Sequence, residues 1–238
     1  MIFYYIRHGH PIYQPDSLTE LGHKQANALA SRLALYGLDE IYCSPSTRAK
    51  MTANPTCKRL NKEKILLDWT NEGYTWDYFS TKNEDGKPCW VFNSENYIQK
   101  FKSAEVRKLD SLWHQHPYFA NDNFSSGIAK TNEEVDRFLL SLGYRHDRQN
   151  NRYEVISENH NRVALFAHQG FGLVFLSSLM DIPYPTFCTS FDLGHSGVTA
   201  IHFENKNGFS YPKILQLSND SHLYKEEILT GYQNRIDL

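Results

Sequence analysis

The first residues of the chain alternate between an apolar strand-like run and a helix-like stretch. Ile2 to Ile6 is an apolar, β-forming run that ends abruptly on Arg7-His8-Gly9. Thr19 is a good N-cap for a following helix, and Gly37 is a typical residue to end one. The predicted apolar face of this helix consists of Leu21, Ala26, Leu29, Leu33 and Tyr36. The pattern therefore predicts a strand followed by a helix.

The alternation continues with two further strands and a helix between them. Ile41 to Cys43 is predicted to be a short second strand. Ser44-Pro45 is predicted to open the helix, with Ser as the cap and Pro at the first helical position. Pro55 is expected to kink or shorten that helix. Ile65 to Leu67 is predicted to be a third strand.

The pattern loosens from residue 73 to about 131, where Gly, Asn, Asp and aromatic residues are mixed. One helix is predicted over about 94–113, and a loop rich in Asn and Ser over 121–126. The aromatic residues of the segment include Tyr74, Trp76, Tyr78, Phe79, Trp90 and Phe92. They either cover a pocket or form a satellite core that holds the segment in place, and we expect the second role for most of them. Tyr74 is the candidate for pocket contact.

Regular periodicity returns in the second half of the chain. Glu133–Leu142 and Gly170–Met180 read as helices, and Val163–Ala167 is a wholly apolar run typical of a strand buried on both faces. Val198–Phe203 and Ile214–Leu217 read as closing strands. Such alternation predicts an α/β fold, namely a three-layer α/β/α sandwich with a mostly parallel central sheet and an inserted lid-like segment. We expect residues 1–238 to form a single domain with its insertion at about 73–130.

Composition and charge narrow the class of protein. Of the 238 residues 40% are hydrophobic and 22% are charged, which is typical of a soluble globular protein. The net charge of −2 argues against a nucleic-acid or anionic-membrane partner. No segment approaches the roughly 20 apolar residues of a membrane span, and the N-terminus lacks a charged leader, so a cytoplasmic location is expected. The four scattered cysteines, Cys43, Cys57, Cys89 and Cys188, are expected to be free thiols.

Charged and nucleophilic side chains follow the ends of several predicted strands. Arg7 and His8 end the first strand, and His168 directly follows the Val163–Ala167 strand. Arg48 lies in the first turn of a predicted helix, and Glu72 lies a few residues beyond the third strand. Open α/β sheets bind ligands at the carboxyl ends of their strands, so these side chains are expected to meet there. Arginines would neutralise an anion and a histidine could attack it.

These residues lie in motifs that resemble a known family. The motifs are Arg7-His8-Gly9, the run LTELGHKQA at 18–26, Ser44-Pro45 followed by Arg48-Ala49, and the later His168. In this order they resemble the histidine phosphatase (phosphoglycerate mutase-like) superfamily, over residues 2 to about 72 and again near 131–203. Arg-His-Gly alone is a weak signal, whereas several pieces in family order are a strong one.

The resemblance implies a mechanism. His8 would be the nucleophile that forms a phosphohistidine, while Arg7, Arg48 and His168 bind the phosphoryl oxygens. Glu72 would protonate the leaving alkoxide and then activate water. Gln14 and Gln169 would also contact the phosphate, and Asp68 and Asp77 are alternatives to Glu72 as proton donor. Neither a metal nor another cofactor is implied, because the arginines supply the neutralising charge.

Some positions depart from the family pattern. His10-Pro11 stands where many members have Glu or Gln and then Ser or Thr, and Gln14 stands where an Asn often contacts phosphate. His168 is followed by Gln169-Gly170, where Gly-Gly or Gly-x is usual. The departures bear on substrate identity more than on chemistry. The candidates for the substrate pocket are His10, Tyr13 and Tyr74.

The sequence thus predicts a metal-independent phosphomonoester hydrolase that acts on a small phosphorylated metabolite or a phosphoprotein. One alternative is phosphoglycerate mutase-type phosphoryl transfer, and another is a non-catalytic module that binds a phosphorylated ligand. A metal pair at His8 and His10 is disfavoured, because such sites typically need a barrel with several further ligands. A homodimer is left open as the assembly.

Overall fold

The structure is a computed structural model that describes residues 1–231. Its strands are β1 (Ile2–Arg7), β2 (Pro11–Ile12), β3 (Ser17–Leu18), β4 (Glu40–Cys43), β5 (Ile65–Leu66), β6 (Ser80–Lys82), β7 (Pro88–Trp90), β8 (Tyr144–Asp147), β9 (Arg152–Val155), β10 (Arg162–Ala167), β11 (Val198–His202), β12 (Phe209–Ser210) and β13 (Lys213–Asn219). Its α-helices are α1 (Glu20–Tyr36), α2 (Thr47–Leu60), α3 (Glu72–Phe79), α4 (Glu95–Lys102), α5 (Ala104–Lys108), α6 (Phe124–Ser141), α7 (Gln169–Met180), α8 (Tyr184–Cys188) and α9 (Ser221–Lys225). Short 3-10 helices lie at Asp68–Thr70, Val91–Asn93, Asp110–Gln115 and Pro117–Phe119.

The central sheet has six strands in the order β13-β11-β1-β10-β4-β5. Strands β1, β10, β4 and β5 run parallel to one another, and β11 runs antiparallel to both β1 and β13. The predicted mostly parallel sheet is therefore confirmed. In the register, Arg7 pairs with Ala167 and Phe166 pairs with Cys43, so β1, β10 and β4 end at the same edge. The residues that follow these strands emerge side by side.

The sheet is buried on both faces, as the apolar β10 run predicts. On one face, Phe3 and Tyr5 of β1 join a core cluster that also holds side chains of α6 and α7. On the other face, Tyr4 and Ile6 join a second cluster with side chains of α1 and α2. Alternate strand residues point to opposite faces, so each strand contributes to both cores. The three-layer α/β/α arrangement is confirmed.

Helix α1 begins and ends where the sequence predicts, but its buried face differs. The Thr19 Oγ1 accepts a hydrogen bond from the Gly22 N–H at 3.1 Å, and Gly37 follows the last residue. Leu21 and Tyr36, predicted on the apolar face, are 39% and 46% exposed. They lie in the terminal turns, and the first turn packs through the backbone of Gly22 instead of through Leu21.

The start of α2 is also corrected. The helix begins at Thr47 and not at Pro45, because the Ser46 hydroxyl is the N-cap and accepts from the Ala49 N–H. The predicted cap, Ser44, turns its hydroxyl toward His168 Nε2 at 2.8 Å. Pro55 does not end the helix, which continues to Leu60.

The segment after residue 73 is more ordered than its composition predicts. The single helix predicted over 94–113 is wrong, because the chain breaks at Ser103, whose hydroxyl caps α5. The loop predicted over 121–126 is confirmed only for residues 121–123, since α6 begins at Phe124 and runs through the helix predicted over Glu133–Leu142. The hairpins β6–β7 and β8–β9 were not predicted.

Most aromatic side chains of this segment hold it to the rest of the molecule. Five of them are almost fully buried in the cluster that also contains Phe3 and Tyr5, namely Phe79, Phe101, Trp113, Phe119 and Phe124. Tyr184 of α8 packs against Phe79 with ring centroids 4.8 Å apart. Of the six aromatic residues for which the sequence left pocket and core roles open, Phe79 and Phe92 are buried in this cluster, and Tyr78 and Trp90 pack against it. The core role expected for most of the six is therefore confirmed, with the difference that they extend the main core instead of forming a separate one.

The cysteines are free thiols, as expected, and Cys43, Cys57 and Cys188 are buried. In residues 1–231, none of the helices combines the length and the apolar character that a membrane span requires.

Candidate active site

The strand ends bring the predicted polar residues into one site. His8 follows β1 and His168 follows β10, and their ring centroids are 5.2 Å apart. Both imidazoles are almost fully buried. Arg48 reaches them from the first turn of α2, and Glu72 from the first residue of α3. With Arg7 at the end of β1, all five of the predicted catalytic side chains meet at this edge of the sheet.

Arg48 connects the other groups. Its Nε donates to His8 Nε2 at 3.2 Å, and its Nη2 donates to Glu72 Oε2 at 2.8 Å and to His168 Nδ1 at 3.1 Å. Its Nη1 donates to the Asp16 carboxylate at 2.9 Å. Because a guanidinium only donates, each of these partners presents a lone pair to Arg48.

The tautomer of His8 follows from these bonds. Nε2 accepts from Arg48, so the ring proton is on Nδ1, which donates to the Gly9 carbonyl at 2.7 Å. The Gly9 N–H in turn donates to the Thr52 hydroxyl at 2.9 Å, which fixes the loop. Nε2 is therefore held with its lone pair toward Arg48, and an unprotonated imidazole nitrogen is the form that can act as a nucleophile.

Two glycines allow this loop to lie against α1. A Cβ on Gly9 would be 2.7 Å from the Gly22 carbonyl oxygen, and one on Gly22 would be 2.3 Å from the His10 carbonyl oxygen. Any larger residue at either position would therefore force the two segments apart.

His168 is fixed as firmly as His8. Since its Nδ1 accepts from Arg48, its Nε2 carries the proton and donates to the Ser44 hydroxyl at 2.8 Å. The Tyr5 hydroxyl donates to the His168 carbonyl at 2.6 Å. Burial, together with nearby positive groups that include Arg7, lowers the pKa of both His8 and His168 well below the ordinary value of 6.5. Both rings are neutral at neutral pH.

Arg7 is buried with one donor unused. Its Nη1 donates to the Leu193 carbonyl at 2.5 Å and its Nη2 to His195 Nε2 at 2.9 Å. Its Nε finds no hydrogen-bond partner anywhere in residues 1–231. Burial lowers the pKa of Arg7, and the charge of Asp192 opposes that shift. A buried guanidinium with an unpaired N–H is suited to an anionic ligand.

Glu72 is the carboxylate beside the histidines. Its Oε1 accepts from the Gly170 N–H at 3.4 Å, and its Oε2 is 3.9 Å from His168 Nδ1. The competing candidates Asp68 and Asp77 are exposed and do not line the cavity described next. Of these three carboxylates, Glu72 is therefore the one that lies in the site.

A cavity of about 520 Å³ opens in front of these groups. It is lined by Arg7, His8, His10, Pro11, Tyr13, Glu72, Trp76, Trp90, Asn93, Gln169 and His195. Of the pocket candidates, His10 and Tyr13 lie on its wall, and Tyr13 also places its ring 5.5 Å from the Arg48 guanidinium carbon. Gln169 lines the cavity too, with its amide donating to the Asp192 carboxylate.

Two of the predicted site residues lie elsewhere. Tyr74 is two positions after Glu72 on α3 and so faces away from the cavity, where its ring contacts Lys130 Nζ at 4.1 Å. Gln14 is exposed and does not line the cavity. The nearby loop residue that does reach the site is Asp16, through Arg48 and the Thr47 N–H.

His195 is a site residue that the sequence analysis missed. Its ring centroid is 5.1 Å from that of His10 and 5.8 Å from that of His8. Burial, with the charge of Arg7 nearby, lowers the pKa of His195 to about 3, so it is neutral. It precedes β11 in an irregular loop, where no periodicity or motif distinguishes it. The same holds for Asp16.

The described part of the chain contains no cluster of three or more His, Cys, Asp or Glu side chains that could hold a metal ion. His8 Nε2, half of the disfavoured metal pair, is bonded to Arg48. The other half, His10, contacts the Thr19 hydroxyl through Nδ1 at 3.1 Å.

Comparison with known proteins agrees with this geometry. Residues 3–77 match the model of the histidine phosphatase superfamily (branch 1). No curated protein matches the chain by sequence. The chain thus resembles that superfamily through the segment that holds Arg7, His8, Arg48 and Glu72.

Solved structures extend the likeness to nearly the whole chain. A phosphoserine phosphatase mutant from Entamoeba histolytica is 20% identical, with a TM-score of 0.59 over 93% of this chain and 98% of that one. A mycobacterial glucosyl-3-phosphoglycerate phosphatase is 17% identical, with a TM-score of 0.57 over 91% and 98%. The alpha-ribazole phosphatase from Shigella flexneri is 19% identical, with a TM-score of 0.56 over 92% and 97%. The chain has the histidine phosphatase fold, and the resemblance predicted from its motifs is confirmed.

Proposed function

We propose that the protein is a metal-independent phosphomonoester hydrolase that works through a phosphohistidine on His8. One observation carries the proposal. His8 Nε2 holds an unprotonated lone pair toward the Arg48 guanidinium, and the Arg7 guanidinium, whose Nε has no hydrogen-bond partner in the described residues, lines the same cavity as His8. Two guanidinium groups can neutralise a phosphate dianion, so the residues themselves supply the charge that a metal supplies in other hydrolases.

In the first step, the lone pair on His8 Nε2 attacks the phosphorus of the ester. The bond from phosphorus to the alcohol oxygen breaks, its electron pair leaves with that oxygen, and the oxygen takes a proton from Glu72. In the structure, Arg48 Nε donates to His8 Nε2. When substrate binds, this N–H donates to a phosphoryl oxygen instead. Arg7 and Arg48 stabilise the negative charge of the in-line transition state.

In the second step, water hydrolyses the phosphohistidine. The Glu72 carboxylate takes a proton from water, and the water oxygen attacks phosphorus. The bond from phosphorus to Nε2 breaks and its electron pair returns to the ring. Inorganic phosphate leaves, His8 is neutral again, and Glu72 is again the acid.

We further propose a small phosphorylated metabolite as the substrate. The similar solved structures are described as a phosphoserine phosphatase, a glucosyl-3-phosphoglycerate phosphatase and an alpha-ribazole phosphatase. Each of these names refers to a small molecule. The cavity of about 520 Å³ is within the range of small-molecule sites. A phosphoprotein substrate would need a surface beyond this cavity.

Two further expectations concern the cellular location and the oligomeric state of the protein. A cytoplasmic location follows from the composition and remains a prediction. The sequence leaves a homodimer open, and sedimentation or gel filtration of the purified protein measures its oligomeric state.

The test is hydrolysis of para-nitrophenyl phosphate in the presence of EDTA. We expect turnover that vanadate inhibits and that His8→Ala abolishes, while the matched His160→Ala change at an exposed position leaves it intact. Tight phosphate binding without turnover would favour the non-catalytic module. Interconversion of phosphoglycerates without hydrolysis would favour the mutase.

A further inference from the structure

Trp76 lies beside the place where the alcohol of the substrate leaves. Glu72 and Trp76 are four residues apart on α3, so their side chains share one face of the helix, and both line the cavity. In the proposed function, on which this inference rests, Glu72 protonates the leaving oxygen. The organic group attached to that oxygen must then extend along the wall that Trp76 forms.

Trp90 completes this wall and is rigidly held. Its ring meets the Trp76 ring edge to face, with centroids 4.7 Å apart and planes at 87°. A Cβ on Gly170 would lie 2.3 Å from Trp90 Cζ2, so the indole occupies the space that a side chain at 170 would fill. Phe92 stacks on its other side, with centroids 5.7 Å apart. Trp90 is thereby fixed beside the residues that follow His168.

The wall away from the phosphate groups is uncharged. Apart from the histidines, the only charged residues that line the cavity are Arg7 and Glu72, whose roles are already assigned to the phosphoryl group and the proton. The low pKa of His195 keeps that ring neutral. A second anionic group that lay against Trp76, Trp90 and Asn93 would therefore lose water without gaining a cationic partner from that wall, which is unfavourable.

We propose that Trp76 and Trp90 form a subsite for a neutral aromatic ring, and that the substrates are phosphomonoesters whose leaving alcohol carries such a ring. Both indoles are only half-buried, so each has surface left for contact. Aromatic rings gain more from edge-to-face and offset contacts with indoles than aliphatic chains do. The amide of Asn93 on the same wall adds a polar contact for a ring heteroatom or hydroxyl.

Binding tests the subsite without turnover. The probes are phenethylphosphonate, propylphosphonate and a carboxypropylphosphonate, which share the phosphate-like group and cannot be hydrolysed. We expect phenethylphosphonate to bind roughly tenfold tighter than propylphosphonate, and the carboxylate to bind more weakly than both. Trp76→Leu should weaken binding of phenethylphosphonate far more than binding of propylphosphonate and so remove most of that preference, whereas Trp76→Phe should keep it. The control Tyr224→Leu removes an aromatic ring that is 89% exposed and should change nothing.

Turnover separates this proposal from the proposed function. The matched esters are phenethyl phosphate, propyl phosphate and phosphoglycerate, whose leaving groups are all alcohols. A higher kcat/KM for phenethyl phosphate that Trp76→Leu abolishes supports the subsite. Equal kcat/KM for all three, or a preference for phosphoglycerate, overturns it while the phosphatase activity stands. Preferential binding of phenethylphosphonate with no turnover of any ester supports the subsite and overturns the proposed function.

Discussion

In the proposed mechanism His8 is the nucleophile, and two contacts orient its ring, one with the Gly9 carbonyl and one with Arg48. Its neutral form depends on burial and on the positive charge around it, which together lower the pKa of His8. A histidine with the ordinary pKa of 6.5 would be largely protonated at about pH 5.5. The chemistry of the site therefore follows from where this one ring lies.

We predict that His8 remains neutral in mildly acidic solution. Heteronuclear NMR of the imidazoles should show His8 with Nδ1 protonated and Nε2 unprotonated at about pH 5.5. His168 should show the opposite tautomer, with its proton on Nε2, because it donates to Ser44. Titration of His8 close to pH 6.5 would contradict the electrostatic account of the site.

The role of Glu72 predicts a dependence on the leaving group. Glu72→Gln should slow hydrolysis of propyl phosphate by about 10²–10⁴-fold, because an alkoxide leaves poorly without a proton. The first step with para-nitrophenyl phosphate should slow far less, since nitrophenolate leaves unprotonated. The exposed Asp68→Asn change is the control and should leave both rates intact. Equal losses in the first step with the two esters, measured as release of the alcohol in a single turnover, would exclude Glu72 as the general acid.

At the scale of elements, the β6–β7 hairpin is held to α7 by the fit of Trp90 against Gly170. We predict that Gly170→Ala displaces Trp90, costs about 1–3 kcal/mol in the free energy of unfolding and changes the tryptophan fluorescence. The matched control is Gly73→Ala on α3, where the nearest atom to the added Cβ is 3.9 Å away. Unchanged stability and fluorescence in Gly170→Ala would contradict the packing described here.

A second connection between elements involves His146 of β8, whose side chain is fully buried. Its Nδ1 is 2.8 Å from the Asp136 carboxylate of α6, and its Nε2 is 2.7 Å from the Asp181 carboxylate after α7. Burial alone would lower the pKa of His146, but hydrogen bonds to the two carboxylates raise it above 6.5. The folded state thus holds the proton more tightly than the unfolded state. The stabilisation is complete below pH 6.5 and is lost as the pH rises through the folded pKa.

We predict that His146→Gln lowers the free energy of unfolding by about 2 kcal/mol near pH 6 and by clearly less near pH 9. Urea unfolding of both proteins at the two pH values measures the difference. A loss that is the same at both pH values would show that the ring acts through packing, for instance its 4.0 Å stack on Tyr153, and not through its charge.

At the scale of the whole molecule, the sequence predicts the sheet and the residues at its edge well. The β10 run is apolar throughout and Thr19 is a good cap, so these features are local and readable. Arg7, His8 and His168 could be placed because they directly follow predicted strands.

The remainder of the molecule depends on contacts between distant parts of the chain. Phe101 and Trp113 pack against Tyr184, a contact that no local pattern encodes, so the broken helices after residue 94 were not predicted. His195 reaches the site only because β11 pairs with β1. The orientation of Tyr74 required the exact start of α3, which composition does not give.

We propose that His8 Nε2 is the atom that accepts the phosphoryl group. The most direct test is to mix the protein with a radiolabelled phosphomonoester, quench within the turnover time and map the labelled residue by mass spectrometry. We predict a phosphoryl group on His8 that is labile in acid and stable in base, and that is absent in His8→Ala. A label on another residue, or active turnover in His8→Ala, would contradict the account.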